Sequence, residues 1–355
     1  MAPHKLSGIV TEALLLCTKT IIPSLFPFLI LSQFFSRTGI AEKAGRCLSF
    51  LFSKPFGLDK ELCGAFLTGN MFGFPNGAIT AGISYSKGKC SKFSAQRAIA
   101  VSSNCSIPFV FSVIGAYTFK SVKAAFIIYL SEILSVLLMS VVLKILFKKP
   151  KNDEYYLTNN CTSNNNKNDN LLSILCKSIS EAGISMLNIC AFISAFCVIA
   201  EILFMFFQNV ELSSYLKGFF EITAGADKFS KLSFPGSVVI ASAAIGFTGL
   251  SALFQVINVC RIYKLSANQY IASRFLCLIF MPIITSCLLM ILPNKVIPVG
   301  TFTPEILITE GSFKTLFATV LLYAALLCVV MICFAFVYSI IEIYAKVKKK
   351  NNFMF

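Results

Sequence analysis

Charged residues are scarce in this sequence. Only 13% of its 355 residues are Asp, Glu, Lys or Arg, whereas soluble domains carry about a quarter. Hydrophobic residues make up 56% of the chain, and the mean hydropathy is +0.78. This composition excludes an ordinary soluble protein and predicts an all-α polytopic protein embedded in a lipid bilayer.

Histidine and the common enzyme motifs are also missing. His4 is the only histidine, which excludes a histidine-based metal site and a Ser/His/Asp triad. The sequence contains no HExxH, GxSxG, Walker or dinucleotide-binding glycine motif, so neither an ATP-driven pump nor a soluble-type enzyme is expected. We therefore expect no catalytic residues, no cofactor and no metal.

Cysteine pairs are absent, although the chain has 14 cysteines. Most stand singly within apolar runs, as Cys105, Cys197 and Cys277 do, and no CxxC occurs. Such cysteines are typical of small buried apolar residues rather than of disulfides. The N-terminus also lacks a short apolar core followed by a cleavage site, so no removable signal peptide is expected.

Eight apolar segments are long enough to cross a bilayer, which takes about 20 residues of helix. They are residues 19–36, 62–85, 98–117, 124–147, 187–207, 238–257, 271–292 and 316–338. If segments 62–85 and 98–117 are instead re-entrant hairpins, the number of spans falls while the sidedness of the loops survives. The sequence leaves both possibilities open.

Positive charge is concentrated between these segments and accounts for the net charge of +15. With eight spans, the lysine and arginine groups near residues 87–97, 144–151, 261–264 and 346–350 all fall on one side. The positive-inside rule then places that side, and both termini, in the cytoplasm. No basic patch accompanies a soluble domain, so a nucleic-acid partner is not expected.

The order of features repeats along the chain, which divides it into two similar halves. We assign residues 1–147 and 171–345 to membrane repeats, 148–170 to a polar Asn-rich cytoplasmic linker, and 346–355 to a basic cytoplasmic tail. In this alignment "GFPNGAI" from Gly73 corresponds to "GFTGLSA" from Gly246. Four spans per half predict the same orientation for both, although generic similarity between membrane helices would mimic part of the match.

Helix-breaking residues interrupt two of the apolar segments and weaken a third. "TGNMFGFPNGAIT" and "SSNCSIPF" contain prolines beside asparagines, and "GFTGLSALFQ" is a milder version without proline. Irregular backbone survives at membrane depth only inside protein or beside a cavity, and a restarting helix attracts anions. The predicted binding residues are Asn70, Gly73, Pro75, Asn76, Gly77, Ser103, Asn104, Ser106, Pro108, Gly246, Thr248, Gly249, Ser251 and Gln255; close helix packing is the alternative explanation for the small ones.

Charged residues within or beside spans point less clearly to function. Arg97 and Arg274 are placed near cytoplasmic helix ends, where a role in snorkelling or topology is expected, with attraction of an anionic substrate as the alternative. Glu132 and Glu201 lie within reach of an interface, with proton relay as the alternative. Glu221, in "FFEITAG", is interpreted as structural in an element on the outer side.

The motifs "IIPSLFPFLILSQFF", "GFPNGAI", "SSNCSIPF", "FFEITAG" and "GFTGLSALFQ" occur in an order that resembles the YlbJ family of sporulation integral membrane proteins, of the nucleoside-recognition (Gate) type. That resemblance implies transport of a small anionic solute, dipicolinic acid, across the outer forespore membrane. Family members usually carry tyrosine at the position of Phe74. A nucleoside transporter and a non-transporting scaffold for spore formation are the alternatives.

Overall fold

The computed structural model describes residues 3–150, 153, 170–204, 217–223, 225, 229 and 235–291. Every regular element in these ranges is helical and none is a strand, which confirms the predicted fold class. The eighth predicted segment, 316–338, the basic tail and most of the linker lie outside the described residues.

The helices are short near the N-terminal third and long elsewhere. In chain order they are α1 (Pro3–Leu16), a π-helical turn (Cys17–Ile21), α2 (Ile22–Thr38), α3 (Ile40–Cys47), α4 (Ser49–Phe56), a 3-10 turn (Lys60–Leu62), α5 (Cys63–Phe72), α6 (Asn76–Ser86), α7 (Lys92–Ser102), a π-helical segment (Phe109–Thr118), α8 (Val122–Leu146), α9 (Leu171–Phe204), α10 (Gly236–Phe247), α11 (Gly249–Ile262) and α12 (Asn268–Ile291).

Local sequence explains where several of these helices begin and end. The Ser91 and Ser121 hydroxyls accept hydrogen bonds from the Ser94 and Ala124 amides, so each caps the first turn of its helix, α7 and α8. Gly39, which follows α2, has φ of +75°. Glycine adopts this left-handed conformation readily, and it commonly terminates helices.

Five segments of the described chain are long and apolar enough to cross a membrane. They are Ser7–Thr38, Val122–Leu146, Leu171–Phe204, Gly236–Ile262 and Asn268–Ile291. The predicted number of eight spans is therefore not confirmed. Two of the predicted spans, 62–85 and 98–117, are each divided between shorter helical pieces.

Segment 62–85 folds as a helical hairpin rather than as one span. The Thr68 hydroxyl donates a hydrogen bond to the Thr80 hydroxyl over 3.1 Å. In a straight helix these residues would lie about 18 Å apart along the axis. Helices α5 and α6 therefore run side by side in opposite directions, joined at a tip formed by Gly73, Phe74 and Pro75, with a cis peptide bond before Pro75.

Segment 98–117, by contrast, keeps one direction and packs along the length of α8. Arg97, in α7, donates hydrogen bonds to the carbonyls of Leu143 and Phe147 at one end of α8. Gly115, in the π-helical segment, lies against Ala125 at the other end. The two pieces together run the length of α8, with an irregular break at residues 103–106 between them.

Ion pairs show which elements meet at one end of the helix bundle. Arg37, at the end of α2, pairs with Glu181 near the start of α9, and Glu42 pairs with Lys89 in the loop after the hairpin. Helices α2 and α9 are antiparallel, since Ile21 packs with Ile193 further along. The end with these ion pairs carries the basic loop of residues 87–97 and is called the basic end of the bundle. Helix α1 begins at the opposite end, so the expectation that the N-terminus lies on the same side as the basic loop is not supported.

Helix α12 packs along α7, α8 and α10. Its Cys277 and Met281 are buried, and the Cys277 carbonyl lies against Gly246 of α10. At Gly246, one of the predicted binding residues, a Cβ would come within 2.6 Å of that carbonyl oxygen. The residue therefore allows α10 and α12 to pack closely.

The hairpin can be tested by disulfide trapping. In a background lacking native cysteines, Thr68→Cys with Thr80→Cys should crosslink within one chain upon mild oxidation, because their side chains touch. Mass spectrometry of peptides measures the bond. The control pair, Thr68→Cys with Ser86→Cys, should remain reduced, since Ser86 lies at the far end of α6. A single straight helix would leave both pairs unlinked.

Candidate functional site

The hairpin tip is seated directly on the break after α7. The Phe74 amide donates a hydrogen bond to the Asn104 carbonyl over 3.0 Å. Gly73 has φ of +79° and ψ of −179°, and a Cβ there would lie 2.8 Å from the Ser106 Cβ. This conformation is accessible essentially to glycine alone. Gly77 similarly faces the Ser102 carbonyl, where a Cβ would approach within 2.5 Å.

Asn104 is the centre of a buried hydrogen-bond network. Its Nδ2 donates to Asn70 Oδ1 over 3.0 Å and to the Val101 carbonyl over 2.7 Å. Its Oδ1 accepts from the Arg274 guanidinium over 3.2 Å. Both polar atoms of the side chain are thus engaged within the protein, and they hold the break against the hairpin and α12.

Arg274 lies inside the bundle rather than at an interface, contrary to the expected snorkelling. It is 1% exposed, donates to the Ala100 carbonyl over 3.2 Å and lies 5.3 Å from the Tyr270 ring centre. Ala100 is in the last turn of α7, so the cation bonds a helix carbonyl freed by the break. Arg97 is also buried, but it bonds the last carbonyls of α8, near the basic end.

Glu132 is likewise internal, although the sequence placed it within reach of an interface. It is 4% exposed in the middle of α8. Its Oε1 accepts a hydrogen bond from the Cys105 amide over 2.7 Å, whereas Oε2 is buried without a hydrogen-bond partner in the described part of the chain. Glu201, by comparison, pairs with Lys217 near the end of α9, as a residue at an interface would.

A cavity of about 820 Å³ lies between α2, α6, α9 and α11. One end of the cavity, its charged end, is lined by four charged residues: Arg37, Lys87, Lys177 and Glu181. The buried Pro75 and Gln255 close the opposite, inner end. Arg37 and Glu181 pair with each other. The lining carries three cationic side chains and one carboxylate, and this excess of positive charge makes the entrance electropositive.

The ammonium of Lys87 is the cation closest in sequence to the hairpin. Partial desolvation, followed by repulsion from Lys89 and then from Arg37, lowers the pKa of Lys87, while Glu42 opposes this shift. A lysine that is more easily neutralised than usual is sensitive to an approaching anion, because the anion restores the preference for the charged form.

Two smaller cavities of about 30 Å³ each lie beyond Phe74. Phe74 lines both of them, and Pro75, the next residue, lines the large cavity. Gln255 lines the large cavity and one small one. The hairpin tip therefore forms the wall between the large cavity and the small ones, each of which has room for about one water molecule.

The predicted binding residues fall into two groups. Six line these cavities: Gly73, Pro75, Ser106, Thr248, Ser251 and Gln255. The others support the tip or the helix contacts around it, and Pro108 precedes the π-helical segment. Among the supporting residues, Asn76 Oδ1 and Ser103 Oγ are buried without partners in the described ranges. The role of both groups in binding stays a prediction.

Sequence reasoning missed Phe74 and Glu221 as lining residues. Glu221 was interpreted as structural in an outer element, yet it lines the small cavity together with Thr223, Thr248 and Ser251. Its Oε1 accepts from the Thr223 amide over 3.0 Å. An acidic residue within the apolar run "GFFEITAG" was the available signal, because a carboxylate is costly in such surroundings unless it is bonded.

No group of three or more His, Cys, Asp or Glu in the described ranges is arranged to hold a metal ion. The polar groups around Phe74 are instead amides, hydroxyls and one carboxylate. Such groups are suited to orienting a small organic solute through hydrogen bonds.

Comparison with known proteins concerns the first part of the chain. Residues 18–149 match the Gate family model, described as nucleoside recognition. The matched region contains the hairpin, the break and Glu132, and it ends just after α8. No curated protein and no solved structure matches the chain. The match supports similarity to a nucleoside-recognition family related to membrane transport, while the narrower likeness to YlbJ proteins depends on the sequence motifs.

The need for glycine at the hairpin tip is testable. Gly73→Ala should lower the unfolding midpoint in detergent by several degrees, because the positive φ and the contact with Ser106 together cost about 1–3 kcal/mol. The control, Gly183→Ala in α9, has open space around the new methyl group. Equal midpoints for the two variants would contradict the tip geometry.

Proposed function

We propose that this chain is a membrane transporter that binds a small organic anion between the hairpin tip and α11. The observation that carries the proposal is the large cavity, which has cations at its charged end and terminates at Pro75 and Gln255. A solute entering from the charged end would reach the tip, and Phe74 and Gln255 would separate it from the small cavity that Glu221 lines.

Dipicolinic acid is the proposed solute, following the resemblance to sporulation proteins. It is a planar dicarboxylate, and the cavity offers both Lys87 at the entrance and the aromatic rings of Phe192 and Tyr263. Charge complementarity of this kind accelerates encounter and excludes cations. A nucleoside is the second candidate, because the matched family is described as nucleoside recognition and the same rings would stack on a base.

The basic end of the bundle is proposed to face the cytoplasm, on the basis of the positive-inside rule. The charged end of the large cavity would then open to the cytoplasm, and α1 would begin on the opposite side of the membrane. If the resemblance extends to location, the membrane is the outer forespore membrane and the cytoplasm is that of the mother cell.

The two halves are proposed to be related by inversion instead of sharing one orientation. The prediction that both halves have the same orientation assumed four spans per half, but the hairpin of α5 and α6 does not cross the membrane. The first half then crosses with α1–α2, α7 plus the π-helical segment, and α8. Among the described residues, the second half crosses with α9, α10–α11 and α12. Three crossings, an odd number, reverse the second half and place the axis in the membrane plane.

The inverted arrangement also changes which motifs of the two halves correspond to each other. "GFTGLSA" lies at the bend between α10 and α11, where Thr248 and Gly249 both have φ of +67°. Its counterpart becomes the break "SSNCSIPF", which likewise interrupts the second crossing of its half. "GFPNGAI" at the hairpin tip would correspond to "FFEITAG". Interrupted helices at equivalent positions are typical of transporter binding sites.

Uptake into liposomes tests the function and its substrate. Purified protein should accumulate dipicolinate in preference to uridine. Gln255→Leu should reduce the rate at least tenfold, because its amide is buried at the inner end of the cavity. Gly183→Ala, at a position that does not line the cavity, serves as the control variant.

Lys87 provides a test of anion recognition. Lys87→Gln should raise the KM for dipicolinate about fivefold, the effect of losing about 1 kcal/mol of attraction at a hydrated site, with little change for uridine. Lys123→Gln, an exposed lysine in the first turn of α8 and outside the cavity lining, should leave both KM values unchanged. Faster uridine transport would favour the nucleoside, and no transport of either solute would favour a scaffold.

A further inference from the structure

Glu132 and Phe74 are joined through a single peptide group. The peptide between Asn104 and Cys105 donates its N–H to Glu132 Oε1 over 2.7 Å, and its carbonyl accepts the Phe74 N–H over 3.0 Å. Hydrogen bonds in such a chain polarise one another, so the bond at one end strengthens the bond at the other. A carboxylate within α8 is thereby linked to the wall between the large and small cavities.

The second oxygen of Glu132 has no such bond. Oε2 is buried and lacks a hydrogen-bond partner in the described ranges, and no ion pair of Glu132 is found there. Burying an ionised carboxylate with one oxygen unbonded is costly. A proton on that oxygen removes the charge, and Oε1 remains able to accept a hydrogen bond from the Cys105 amide.

The titratable and charged groups around Glu132 and along α8 come from five parts of the chain. Charge interactions link it to Cys105 in the break, to Arg274 and Cys277 on α12, and to Tyr129 on α8 itself. Arg97 of α7 and Lys54 of α4 lie towards the other end of α8, near Leu143 and Lys144. Helix α10 contributes no titratable side chain. Arg274 is therefore the one nearby cation among these groups, and Asn104 and Ala100 hold it in place.

We propose that Glu132 is the proton-binding residue through which a pH gradient drives this transporter. The inference rests on the proposed transport function and adds its energy source. One proton binds Oε2 from the aqueous phase on one side and leaves to the other side during each transport cycle. No covalent bond between heavy atoms forms or breaks.

Protonation acts on the hairpin through the shared peptide. Hydrogen bonds to an ionised carboxylate are about twice as strong as those between neutral groups. Neutral Glu132 therefore holds the Cys105 amide more weakly, and the polarised carbonyl holds the Phe74 amide more weakly in turn. The tip is then released from the break, which connects the large cavity with the polar groups beyond Phe74.

Two transport assays separate coupling from binding. In liposomes with an inward proton gradient, the wild-type protein should accumulate dipicolinate several-fold faster than without the gradient. Glu132→Gln preserves an oxygen that can accept from Cys105 but cannot titrate. This variant should lose the response to the gradient, while exchange of internal for external dipicolinate stays within about threefold of wild type.

The matched control is Glu201→Gln, a carboxylate at the end of α9 outside the cavities and the break. It should retain the full gradient response. A gradient response that persists in Glu132→Gln, or wild-type exchange without any gradient response, would overturn the role of Glu132 alone. Absence of exchange in the wild type for both dipicolinate and uridine would instead reject the transport function. Loss of both exchange and gradient response in Glu132→Gln, with the protein still folded by its unfolding midpoint, would assign Glu132 to the structure of the break and overturn coupling.

Discussion

An interrupted membrane helix has to satisfy the backbone groups that the interruption frees, and the rest of this structure is organised around that requirement. The break after α7 is buried, so its backbone donors and acceptors are bonded by other parts of the protein. Phe74 and Glu132 bond the two ends of one peptide, and Arg274 bonds the Ala100 carbonyl and the Asn104 side chain. The hairpin, α8 and α12 are thereby fixed around a single irregular segment.

Composition and helix-breaking residues were sufficient to predict the helical membrane class and the places where the helices are interrupted. The breakers could not distinguish a hairpin from a kinked span, because Gly and Pro end a helix without setting the direction of the next segment. In the hairpin, the contact between Thr68 and Thr80 sets that direction. At Thr248 the chain bends and continues. The difference lies in long-range packing, which local sequence does not encode.

The candidate site was predicted in part for the same reason. Small and polar residues at the interruptions identified the region, and six of them line the cavities. The charged residues were misplaced because their depth was judged from distance along the chain to the nearest loop. Arg274 is in the second turn of α12, yet it is covered by α7 and the break. Burial of a helix end by its neighbours is a tertiary property.

The distance along the chain between Asn104 and Arg274 has a consequence for biosynthesis. The two residues are 170 positions apart, so the ribosome completes the hairpin, the break and α8 long before it makes α12. The early product already contains the carbonyl and amide oxygens that Arg274 later binds. When Arg274 enters the bilayer with α12, its hydrogen-bond acceptors are already in place. The insertion of α12 then stabilises the contacts among the hairpin, the break and α8.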